Sequence, residues 1–110
     1  MIRRILLALP LLAMAGAAQA QCDRRFDFEN RSSRTIMEIY FDRTANPNWT
    51  RDELGADVLP AGRARRFTTA YDGLYDFRAV FEGGRAMELR RVNICSTSRI
   101  IATDNGLRAE

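Results

Sequence analysis

From Arg25 onward, apolar and polar residues alternate with a period of two, the mark of strands that bury one face. In Arg25 to Asn30, Phe26 and Phe28 share a side while Asp27 and Glu29 take the other. Thr35 to Phe41 sets Met37, Ile39 and Phe41 against Glu38 and Tyr40. The intervening Asn30-Arg31-Ser32-Ser33-Arg34 is turn chemistry, which predicts that these two strands form a hairpin. The clearest strand is Leu74 to Glu82, with Tyr75, Phe77, Ala79 and Phe81 on one face and Asp76, Arg78 and Glu82 on the other. Gly83-Gly84 then turns the chain into a second strand, Arg85 to Cys95. There Met87 and Leu89 have one parity and Val92 and Ile94 the opposite one, so a β-bulge at Arg90-Arg91 is predicted to restore the inward face.

Shorter strands are expected at Asp57 to Leu59, Arg63 to Thr69 and Arg99 to Thr103, each bounded by Pro, Gly or Asn-Gly punctuation. The longest connection, Asp42 to Ala56, contains Thr50-Arg51-Asp52-Glu53, which fits a capping box, with Leu54-Gly55 as a stop. A single helical turn is predicted there, and Leu107 to Glu110 reads as a frayed tail. About seven short alternating strands predict an all-β domain, a small antiparallel β-sandwich, with a small β-barrel as the alternative.

The N-terminus changes this picture. Arg3-Arg4, the apolar run Ile5 to Ala15 and Ala18-Gln19-Ala20 form an export signal with an A-x-A cleavage site. The expected organisation is a signal peptide over residues 1–20 and one domain over 21–110, delivered to the periplasm or the medium. Gln21 before Cys22 does not fit a lipid-anchor site, and no later apolar run is long enough to span a membrane. In that compartment Cys22 and Cys95, the only two cysteines, are expected to form a disulfide.

Removing the signal also removes most of the basic character. The chain has 17 Lys plus Arg, all of them Arg, against 14 Asp plus Glu, a net charge of +3; Arg3 and Arg4 account for two of those charges. The remainder is close to neutral, so nucleic acid is not an expected partner, and Arg63, Arg65, Arg66 and Arg90-Arg91 are assigned to cross-strand ion pairs. With no His and no Lys, imidazole-based nucleophilic catalysis and Schiff-base chemistry are excluded. Two carboxylate pairs, Asp72 with Asp76 and Asp52 with Glu53, have the composition of a glycosidase acid and nucleophile, but a domain this small has little room for a sugar cleft. No enzyme activity is expected.

Three stretches resemble a known family in detail: Phe26-Asp27-Phe28-Glu29-Asn30, Leu59-Pro60-Ala61-Gly62 and Tyr75-Asp76-Phe77-Arg78-Ala79-Val80-Phe81. With Ile36 to Tyr40, and with Trp49 followed by Asp52-Glu53-Leu54-Gly55, they are similar to a family of small exported bacterial proteins without an assigned activity. The resemblance implies a structural role for these motifs. It also implies a cysteine just before the Tyr-Asp pair, where this chain has Leu74.

Two sets of candidate site residues remain. Trp49, with Asn48 and Arg51, lies in the longest loop, as an interface anchor or sugar-stacking platform or, alternatively, as a ring that closes one end of the sandwich. Asp42, Asp52, Asp72 and Asp76 are candidate ligands for calcium, the only cofactor the composition suggests, in a β-sandwich that gathers oxygens at one end. The functional expectation is a non-catalytic, monomeric binding or accessory module that recognises a protein or an envelope component. A calcium-stabilised structural module and a small inhibitor of an extracellular hydrolase are the alternatives.

Overall fold

The computed structural model describes residues 21–46 and 48–110, so the predicted export segment lies outside the described residues. Seven strands occur in the order β1 (Arg25–Asn30), β2 (Ile36–Arg43), β3 (Ala64–Thr68), β4 (Leu74–Phe81), β5 (Ala86–Asn93), β6 (Arg99–Thr103) and β7 (Gly106–Ala109). They form one sheet of order β3-β1-β6-β7 and a second of order β2-β4-β5. The two sheets do not close into a barrel, so the fold is a small β-sandwich.

The inward residues of both sheets make one core, and its centre is aromatic. Phe26 of β1 meets Phe41 of β2 edge to face at 5.2 Å and Phe77 of β4 at 5.4 Å, while Phe67 of β3 stacks on it at 5.8 Å. Phe28, Ile36, Ile39, Phe77 and Ile100 are completely buried. Burying rings of this size is the main favourable term for so small a domain.

That packing corrects the first predicted hairpin. β1 and β2 lie in different sheets and face each other across the core instead of pairing side by side. Asn30 makes the corner. Completely buried, its amide donates to the carbonyls of Arg34 (2.8 Å) and Leu59 (2.9 Å), and its side-chain oxygen accepts the Ser32 N–H (3.0 Å) and hydroxyl (2.6 Å). These bonds satisfy a backbone that is leaving one sheet for the other.

The sandwich is not wholly antiparallel. β1 pairs with β3 antiparallel but with β6 in parallel, from Asp27 opposite Arg99 to Asn30 opposite Ala102. A parallel neighbour requires a long crossover, and here the crossover carries the whole of the second sheet together with β3. The tail expectation is also corrected: residues 106–109 form β7, paired antiparallel with β6, and Glu110 continues the ladder through bonds with Ser98 and Arg99. Asp104-Asn105 is the hairpin turn that makes this possible, and it delivers Gly106 opposite Thr103 at φ +154°, a conformation open to glycine.

The second predicted hairpin, β4 to β5, is present with its bulge. Tyr75 opposes Val92 and Phe77 opposes Leu89, so Asp76 faces both Arg90 and Arg91. Arg91 takes φ +58°, and Val92 thereby returns to the buried face. The strand expected at Asp57 to Leu59 shrinks to one bridge between Leu59 and Ile36, because Pro60 has no N–H with which to continue a ladder. Cys22 and Cys95 are joined by a disulfide, 73 residues apart in sequence, which ties the segment before β1 to the 3₁₀ turn Ile94–Ser96 after β5. No helix among the described residues is long and apolar enough to cross a membrane.

Candidate ligand-binding cleft

The loop that leaves β2 is organised by its own carboxylates. Asp42 accepts the Trp49 N–H at 2.8 Å, which holds Trp49 in the left-handed region at φ +47°. Asp52 accepts the N–H groups of Ile39 (3.1 Å) and Leu54 (2.9 Å), and the Glu53 N–H donates to the Ile39 carbonyl at 2.7 Å. Residues 52–54 therefore lie along the free edge of β2. The predicted helical turn is replaced by hydrogen-bonded turns over residues 53–56, because Asp52 and Glu53 bond to the strand edge instead of capping a helix.

Leu54, 2% exposed, is the loop residue that enters the core. Trp49 stays outside it, half-buried on the outer face of the three-stranded sheet. Its ring lies 6.4 Å from the Tyr40 ring, and the Arg90 guanidinium sits over it at 5.4 Å. Trp49 thus neither closes the sandwich nor offers two free faces to a sugar. Asn48 is exposed beside it.

Around Trp49 the charges satisfy one another. Glu88 bonds both Arg78 and Arg90, and Arg90 also reaches Asp76 at 3.0 Å. Tyr40 donates to Glu38, a bond that pushes its phenol up to about 12. The outer face of the other sheet is similar: Arg66 pairs with Asp27 and Arg99 with Glu29, while Arg25 holds Asp23 down to about 2. A hollow of about 330 Å³ on that face is lined by these paired groups. Of the expected cross-strand ion pairs, those of Arg66 and Arg90 are present; Arg65 pairs instead with Asp57 outside the strands, and among the described residues Arg63 and Arg91 make none.

Arg51 lies in a different setting. With Asp42, Arg43, Glu53 and Tyr71 it lines a cleft of about 320 Å³, and Phe41 and Tyr75 also contribute to its wall. Tyr71 is 60% exposed, and the Arg43 guanidinium rests 4.7 Å from its ring centre. The Tyr75 hydroxyl fixes that segment by accepting the Tyr71 N–H (3.1 Å) and donating to its carbonyl (2.9 Å). Among the described residues, none of Asp42, Arg43, Arg51 and Glu53 makes an ion pair. Burial pushes the Glu53 carboxyl above its ordinary value; Arg51 opposes that shift, and Asp42 and Asp52 add to it. Arg43 also borders a second hollow of about 400 Å³, with Asp72, Leu74 and Arg91.

The four candidate calcium ligands are not brought together. Asp42 and Asp52 bond to loop and strand N–H groups, and Asp72 is an exposed partner of Arg24 at 3.9 Å. Asp76, 2% exposed, is bonded by Thr44, Arg90 and the Arg91 N–H. Among the described residues, one group of possible ligand atoms converges, that of Cys22, Asp72 and Cys95, and its two sulfurs are bonded to each other. Asp72 borders the hollow of Arg43, Leu74 and Arg91, Glu53 lines the cleft with Arg51, and neither Asp52 nor Asp76 lines either of these.

No family model, curated protein or solved structure matches this chain. The similarity to small exported proteins therefore rests on the quoted motifs alone. Of the residues expected at an interface, Arg51 belongs to the cleft and Trp49 to the neighbouring sheet face. Arg43, Glu53 and Tyr71 were not anticipated as part of one site. The available signal was an aromatic in a polar turn, Thr69 to Gly73, but its position beside Arg43 depends on strand order.

Proposed function

We propose that this chain is an exported, non-catalytic binding module that recognises a protein or an envelope component through the cleft lined by Arg43, Arg51, Glu53 and Tyr71. One observation carries this reading. Arg66, Arg78, Arg90 and Arg99 on the outer sheet faces are paired with carboxylates, whereas Asp42, Arg43, Arg51 and Glu53 share one cleft without an ion pair among the described residues. Burial of the Glu53 carboxylate costs stability, and a complementary partner recovers that cost.

Export is supported by the apolar run before Ala18-Gln19-Ala20 and by the disulfide, which persists in an oxidising compartment. The non-catalytic reading is supported by a chain without His or Lys whose cysteines are bridged. The test is capture from an envelope extract by the oxidised protein. Capture lost in an Arg43→Glu/Arg51→Glu variant and retained in Arg63→Glu supports the assignment; equal capture by all three proteins removes the cleft from function.

A further inference from the structure

The cleft lining has an unusual charge balance. Arg43 and Arg51 present two guanidinium groups, and Asp42 and Glu53 two carboxylates, within one space of about 320 Å³. Arg51 is near enough to act on the Glu53 carboxyl, yet among the described residues none of these four groups forms an ion pair. The Asp42 carboxylate is held by the Trp49 N–H, the Glu53 backbone is fixed to Ile39, and Arg43 is laid on Tyr71. A simple anion would meet the two carboxylates, and a simple cation the two arginines; either would leave like charges facing each other.

Resting on the binding reading above, we infer that the cleft takes a small zwitterion of the amino-acid type, an α-amino acid or unblocked dipeptide. Its carboxylate lies toward Arg51 and Arg43 and its ammonium toward Glu53 and Asp42. A guanidinium fork suits a planar carboxylate, and a carboxylate is the natural acceptor for an ammonium. The volume lies at the lower end of the range for small-molecule pockets, about 300 to 1,000 Å³. Phe41, Tyr71 and Tyr75 offer ring surface to an apolar side chain.

Calorimetric titration of the oxidised protein with alanyl-phenylalanine, its N-acetyl form and its C-terminal amide tests this directly. The free dipeptide is expected to bind, and each blocked form to bind about tenfold or more weakly, as befits loss of a charge-assisted hydrogen bond. In Arg51→Ala the difference between acid and amide should vanish, and in Glu53→Gln the difference between free and acetylated forms. Equal binding of all three peptides, or no binding at millimolar concentration, overturns the zwitterion assignment. If the peptides fail while envelope capture still depends on Arg43 and Arg51, the inference falls alone; if that dependence fails too, the binding reading falls with it.

Discussion

The Asp76 carboxylate accepts the backbone N–H of Arg91 at 2.8 Å, and so a buried acid closes the bulge that the opposite strand needs. Thr44 and Arg90 supply its other bonds, at 2.8 and 3.0 Å. Removing the carboxylate leaves these donors without an acceptor beneath the loop. Asp76→Ala should lower unfolding stability by about 2–3 kcal/mol, measured by urea denaturation, with Asp76→Asn intermediate.

Asp76 also sets an acid limit. Burial works against its charge, but the Arg91 N–H, the Thr44 hydroxyl and Arg90 together hold the carboxyl below its ordinary 3.8. A carboxyl lowered by folding contributes stability that is fully present above its unfolded value and is lost as pH falls through the folded one. The melting temperature should therefore drop more steeply below about pH 4 in the native protein than in Asp76→Asn.

Glu53 has the opposite sign. Its carboxyl is raised above 4.5 by burial, so its ionisation disfavours the folded state as pH rises through that raised value. Glu53→Gln should melt at a higher temperature than the native protein at pH 7, with the gap closing near pH 4. A variant that gains stability while losing the zwitterion is the expected signature of a site residue.

Leu54 and Trp49 separate core anchoring from surface contact within one loop. Leu54→Ala removes a side chain that is 2% exposed, and the expected cost is about 3 kcal/mol. Trp49→Ala removes one aromatic contact and one cation contact outside the core, for about 1 kcal/mol. Paired denaturation curves check the ratio.

The disulfide joins residues 73 apart, and a closed loop of that length corresponds to roughly 4 kcal/mol of stabilisation in the chain-entropy account. A Cys22→Ser/Cys95→Ser double variant should show that loss by denaturation, while the native protein should gain the mass of two hydrogens on reduction.

Much of this fold is legible in the alternation of residues, because alternation reports which side of a strand is buried. The β4–β5 hairpin and its bulge follow from Gly83-Gly84 and a parity slip, both local signals. The β1–β2 corner does not, since Asn30 to Arg34 carries the same turn residues whether the next strand pairs alongside or crosses to the other sheet. Only long-range partners of Asn30, such as Leu59 and Arg63, decide between them. The cleft was hidden for the same reason. Arg51 stood out from its loop, but Arg43, Glu53 and Tyr71 are joined to it by topology, not by spacing.

The parallel pairing of β1 with β6 imposes an order of events on the chain. β1 is synthesised first among the strands and sits between β3 and β6, so its second flank stays open until residues 99–102 have emerged. High sequence separation of this kind slows folding and prolongs the exposure of an unpaired edge. Cys22 likewise precedes its partner by 73 residues. Until residue 95 has been made, this chain carries a single thiol beside an unfinished strand, so the disulfide and the parallel pairing can both close only late in its synthesis.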